Sequence, residues 1–164
     1  MPNPCNLWVT QPGDATGNFS GPCEQESRAD SCTIYEVSHE VSLPTEGTMG
    51  GRDTGRRRHM PVHVTKEIDC TTPAFLQAMS HNERIGQIDL KFYRNTPTGD
   101  EEHYYTIKIM GVKVVGVRAD VRMTLDPANN IYRHLEHVSF MYESVEWTYE
   151  PNGYMTADDW RQST

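Results

Sequence analysis

The chain has 164 residues, a formal net charge of −8 and a pI near 5.3. That length fits one domain and leaves no room for separate catalytic and binding domains. No apolar run approaches the ~18 residues of a membrane helix, and the acidic balance argues against nucleic acid as the main partner. The start, Met1-Pro2-Asn3-Pro4-Cys5, has no charged opening and no apolar run, so it does not read as a secretory signal. Leu, Ile, Val and Phe together supply only 29 residues. That is a thin core for a fold expected to bury roughly 70% of its open-chain surface, so surface contributed by a partner is expected.

Asn6 to Thr10 reads as a short first strand. Thr10 to Cys32 is rich in Gly, Pro, Ser, Asp and Asn, with Phe19 its one large apolar residue, and reads as a long polar loop. Thr33 to Ser42 alternates Tyr35, Val37, His39 and Val41 against Ile34, Glu36, Ser38 and Glu40, the period of a strand. Glu46 to Met60 holds four glycines and four arginines and reads as a second long loop. Pro61 to Asp69 places Val62, Val64 and Ile68 on one side.

Thr71 or Thr72 can cap a helix with Pro73 in its first turn. Ala74, Phe75, Leu76, Ala78 and Met79 follow, and Asn82 ends it. Ile88, Leu90 and Phe92 then alternate with Asp89, Lys91 and Tyr93. Tyr104 to Val117 is a long β-rich run with Gly111 and Gly116 as bend points, and Val121 to Leu125 reads as a further strand. Val138, Phe140 and Tyr142 share one parity, while Val145, Trp147 and Tyr149 share the other. One extra residue near Glu143 and Ser144, a β-bulge, would produce that flip. Trp147 falls on the parity expected to be buried, where truncation to Ala costs about 3–5 kcal/mol. Turn residues at 96–100 and 126–130 join strands. The reading is a single mainly-β domain over 1–164, with seven or eight strands and one short helix.

Chemistry is sparse. His59 and His63 are four apart, and His134 and His137 three apart, but neither pair has a Cys-x-x-Cys or an acidic ligand at a telling interval. No Gly-x-Ser-x-Gly elbow is present, and Gly50, Gly51 and Gly55 precede no helix that would cradle phosphate. Asp100, Glu101, Glu102, Asp158 and Asp159 read as solvated acids. Cys23 and Cys32 close a short loop and could pair in an oxidising setting. Four free thiols, Cys5, Cys23, Cys32 and Cys70, are the reading that fits a chain without a signal. No catalytic residue, cofactor or metal ligand is assigned. Charge says more. Residues 46–60 carry four arginines against Glu46 and Asp53, a net +2 on a remainder of −10. Such an arm is neutralised by folding back or by docking on a neighbour, and docking on an identical neighbour builds rings or filaments.

Several blocks resemble the hemolysin-coregulated protein (Hcp) family, the tube subunit of the bacterial type VI secretion system. These are Pro4-Cys5-Asn6-Leu7-Trp8-Val9, His39-Glu40-Val41 with Pro44-Thr45, and Gly55-Arg56-Arg57-Arg58-His59-Met60-Pro61. Val64 to Asp69, Leu90-Lys91-Phe92-Tyr93-Arg94, His134-Leu135-Glu136 through Trp147, and Ala157-Asp158-Asp159-Trp160-Arg161 complete the set. Their order and spacing carry the resemblance over nearly the whole chain. It implies two β-sheets closed into a small barrel, one flanking α-helix and a long extended loop. It implies hexameric rings that stack into a tube, with a spike protein at the tip, a contractile sheath around it and effector proteins in the lumen. It also implies a bacterial cytoplasmic protein before firing, secreted without a signal peptide. By position, the ring-stacking loop spans Thr45 to Pro61, with Arg52, Arg56, Arg57, Arg58 and His59 as its candidate residues. This chain departs from many members in carrying Met60 before Pro61, and in a more polar Thr10–Cys32 segment. Two readings stand beside it: a small metal-dependent enzyme using His59, His63, His134 and His137, and a monomeric β-barrel binding module.

Overall fold

The computed structural model describes residues 3–45 and 55–161. Its first strand, β1 (Cys5–Gln11), pairs antiparallel with β2 (Cys32–Ser38) on one side. On the other side β1 pairs with β6 (Ile85–Asn95). β2 continues to β5 (Val62–Glu67), β5 to β8 (Leu135–Met141), and β8 to β7 (Glu101–Asp120), which returns to β6. Six strands thus close into a barrel, which leaves no edge within it. β3 (Val41–Ser42) and β4 (Arg58–His59) form a separate two-stranded pair. β9 (Ser144–Tyr149) and β10 (Tyr154–Asp159) extend the sheet from the first half of β7 as a flap outside the barrel. The fold matches the expected mainly-β barrel with one flanking helix; the barrel closes from a single sheet rather than from two, and the second sheet is the small β3–β4 pair.

The core is made by inward-facing Leu7, Ile34, Val62, Val64, Ile88, Leu90, Ile107, Ile109, Val114, Val138 and Phe140, all nearly sealed from solvent. The helix α1 (Thr72–Ser80) covers it with Ala74, Phe75 and Ala78. Phe75 sits 5.6 Å from Phe140 and 5.2 Å from Phe19, so the long polar segment contributes one anchor to the core. That segment is pinned elsewhere too. Asn6 Nδ2 donates to Ser31 Oγ at 2.9 Å, Trp8 Nε1 donates to the Ala29 carbonyl at 3.1 Å, and buried Arg28 pairs with Glu101 and lies 4.2 Å over the Tyr93 ring. Glu101, read as a solvated acid, is therefore a structural partner.

Several expectations need correction. Tyr35 is exposed while Ile34 is buried, because the β2–β5 register shifts between Ile34 and Glu36 and changes the facing parity. Ile68 is exposed, and Lys66 takes the inward position after Val64, because the chain leaves β5 at Glu67. Residues 121–125 form no strand, since β7 ends at Asp120. Thr71 occupies the helix N-cap position but makes no side-chain cap; its Oγ1 donates to Asp69 Oδ1 instead. Trp147 is half-buried against the outside of the core, where Val145 is fully buried.

The parity flip near Glu143 has a different origin from a bulge. Met141 faces Lys113 and Ser144 faces Met110, so two residues separate these pairs on both strands and nothing extra is inserted. The two strands kink together, opposite Gly111. That glycine has φ +62°, and a Cβ there would collide with the Glu143 side chain. The inserted residue lies on β7, where the register shifts between Val114 and Gly116. At the kink β7 changes neighbour, from β9 to β8, and this places the flap beside the base of the β3–β4 connection.

Candidate functional site

The two ends of the β3–β4 connection lie side by side. His59 pairs with Val41 and Arg58 with Ser42, and the Met60 amide donates to the Glu40 carbonyl at 3.0 Å. This pair lies against the turn after β8, the half-buried Trp147 of β9, and the end of β10. Arg52 lies outside the described residues. Arg57 folds back on Asp158: its Nε and Nη2 bind the two carboxylate oxygens, Nη2 at 2.6 Å, and Nη2 reaches the Asp159 carbonyl at 3.2 Å. This is a bidentate, charge-assisted pair. It takes up one charge of the basic arm by folding back.

His59 has a side chain only 2% exposed. Its Nε2 is 2.7 Å from Asp158 Oδ2 and its Nδ1 2.7 Å from the Tyr142 hydroxyl. Its ring stacks on Trp147 at 6.5 Å and meets Tyr142 edge-on at 5.5 Å. His39, on the other limb of the connection, accepts from Trp147 Nε1 at 3.2 Å. Trp160 Nε1 donates to the Tyr142 carbonyl, and Arg161 holds Asp159 at 2.7 Å and Glu143 at 3.0 Å. The result is a clasp: two limbs of one connection bound to the flap and tail.

Charge is matched inside the clasp. The Arg57 guanidinium, and then His59, hold the Asp158 carboxyl below the usual carboxylate range, against the opposing effect of burial. Burial, reinforced by the Asp158 charge, pushes the Tyr142 phenol up. Burial lowers His39, and nearby His59 lowers it further. Arg56 and Arg58 are exposed and make no ion pair among the described residues.

The four histidines of the metal reading do not converge. His63 Nδ1 bonds Ser139 Oγ at 2.7 Å, and His137 bonds Thr65 at 2.9 Å and Asp120 at 3.3 Å. His59 is committed to the clasp, and the His134 carbonyl accepts from the Ile68 amide. Among the described residues no three of His, Cys, Asp or Glu are grouped to hold a metal ion. Sequence reasoning missed His39, Tyr142, Trp147 and Asp158 as clasp members. The two acids at 158–159 carried no signal of their own, because their partner lies about a hundred residues away in the chain.

The six-stranded barrel, with Arg57 and His59 fastened to Asp158 of the flap, defines a closed β-barrel class of protein. Residues 11–149 match the family described as "Type VI secretion system effector, Hcp". The "Major exported protein" of Pseudomonas aeruginosa is 34% identical over 149 residues, covering 91% of this chain and 86% of that one. Among solved structures, a variant of Hcp1 from E. coli EAEC 042 superposes with a TM-score of 0.81 at 29% identity, covering 96% of this chain and 98% of the other. The secreted protein Hcp3 from Pseudomonas aeruginosa gives 0.72 at 26% identity, covering 98% and 99%. The chain belongs to the Hcp family and is a structural subunit of a type VI secretion system.

Proposed function

We propose that this chain, as one domain over 1–164, closes into hexameric rings that stack into the inner tube of a type VI secretion system. The observation that carries the reading is the family match across residues 11–149. The arrangement of the β3–β4 connection supports it. Arg57 and His59 anchor the connection, while Arg56 and Arg58 face solvent without an ion pair among the described residues. On a body of the opposite sign, such free guanidinium groups favour a contact with the next ring, and a heterologous contact of this kind propagates into a filament. Arg52 extends the same basic segment. The tube is exported after assembly in the bacterial cytoplasm, carries effector proteins in its lumen, and works with a spike protein and a contractile sheath. It performs no catalysis of its own.

Two measurements test this. Native mass spectrometry at micromolar concentration should show a closed ring of about 112 kDa, six times the 18.7 kDa chain. A persistent monomer would overturn the ring. Replacing Arg56 and Arg58 with Glu should shorten filaments in sedimentation while the ring mass stays unchanged. Unaltered filament length would remove the connection from stacking.

A further inference from the structure

We propose that the clasp is proton-operated: neutral His39 keeps the β3–β4 pair closed on Trp147, and charging His39 loosens that pair. The argument begins with donors and acceptors. An indole N–H can only donate. Trp147 Nε1 points at His39 Nε2, so Nε2 accepts and the ring proton sits on Nδ1. Nδ1 is itself buried with no hydrogen-bond partner among the described residues. A second proton must therefore enter at Nε2, directly against the indole N–H. The charged ring loses its one hydrogen bond and carries two N–H groups with nowhere to donate, in a half-buried site. Leaving buried donors unmade is costly, more so for a charged group.

Among the described residues the surroundings offer no compensation. From β4, His39 is faced by His59; from the turn after β8, by the Tyr142 ring at 5.8 Å; from β9, by the Trp147 ring at 5.9 Å. Behind His59 stand Asp158 of β10 and Arg57. Outside those, Asp159, Arg161 and Glu143 pair among themselves. Asp158, the carboxylate of the clasp, is occupied by Arg57 and His59. His59, when charged, adds repulsion.

Burial, together with His59, depresses the proton affinity of His39 in the closed form below its ordinary value of 6.5. The open form then takes up the proton first as pH falls. Closure is at full strength above about pH 6.5 and weakens below it, by no more than about tenfold per pH unit for one proton. The role of the connection in stacking rests on the function proposed above; the proton response of the clasp does not.

Amide hydrogen exchange on the full chain tests this. The reporter is the Met60 amide, bonded to the Glu40 carbonyl at 3.0 Å. After correction for intrinsic rates, protection should fall between pH 7.5 and 5.5, by no more than about tenfold for one proton. His39→Gln, which can still accept from Trp147 but cannot charge, should abolish that fall. Trp147→Phe, which removes the opposing N–H, should shrink it, and His63→Gln should leave it intact. A wild-type chain with constant protection, or His39→Gln following the wild type, would overturn the proposal. Sedimentation at the same pH values separates the two readings. If Met60 opens in acid while filaments persist, the clasp stands and the stacking role falls.

Discussion

Two ion clusters in this molecule each set cations against carboxylates and answer to different conditions. Inside the fold, Lys66 Nζ lies 2.5 Å from Glu136 Oε1 and 2.9 Å from Asp69 Oδ1, with the Lys66 and Glu136 side chains each 1% exposed. Thr71 and Thr72 complete it from the start of α1, donating to Asp69 and Glu136 at 2.8 and 2.9 Å. This cluster ties β5, β8 and the helix together. At the loop base, Arg57, His59 and Asp158 form a comparable triad at the surface, with Arg57 and Asp158 about a quarter exposed. Deep burial makes the first cluster all-or-none, since any lost partner strands a charge. Partial exposure makes the second adjustable, since water and protons can enter.

The comparison can be broken most forcefully at Lys66. Lys66→Met leaves Glu136 and Asp69 buried without their cation and should cost about 3–5 kcal/mol, read as a lower urea midpoint. A cost near zero would show that the inner cluster is as adjustable as the outer one. Trp147→Ala should cost less, about 2 kcal/mol, because its ring is half-buried rather than enclosed. It should also expose the Met60 amide to exchange without a matching loss in the barrel strands. Loss of protection throughout the barrel would mean that the flap is part of the core.

The smallest effect sharpens the contrast through pH. At Asp69, burial alone would raise the carboxyl, but bonds from Thr71 and Lys66 outweigh it and hold it below 3.8. Asp158 is held low chiefly by Arg57. Stability from both is present above their ordinary pKa and is lost as pH falls through their depressed values. The loop base should therefore loosen in two steps, below about 6.5 with His39 and again below about 3.8 with Asp158. The barrel should respond only in the second window. Hydrogen exchange across that range would show both steps, and a barrel that loosens with His39 would contradict the separation.

Much of the barrel was legible because its strands repeat a period-two pattern over residues close in sequence. Ile88 with Leu90, and Val62 with Val64, are buried where alternation puts them. The helix start at Thr72 and Pro73 follows from local turn chemistry. Alternation failed wherever register shifted. Tyr35 changed sides at the β2 irregularity, and the flip near Glu143 proved to be a paired kink opposite Gly111. Pattern shows that a face changes, but the partner strand decides how.

The candidate residues divide in the same way. An unmatched basic segment at 46–60 is a property of composition, visible in the string alone. Which of its arginines would remain unpaired was not visible, because Arg57 and Asp158 meet only after the flap has folded against β7. His39, Tyr142 and Trp147 look like ordinary strand residues until the kink brings them around His59. Sequence by itself determined the mainly-β class, the helix, the family and the basic segment, since these depend on local periodicity, turn chemistry and ordered blocks of residues. Only the tertiary structure decided the buried Lys66 cluster and the clasp, because hydrogen bonds and ion pairs need contact distance, and contact between residues far apart in the chain is set by strand register and closure.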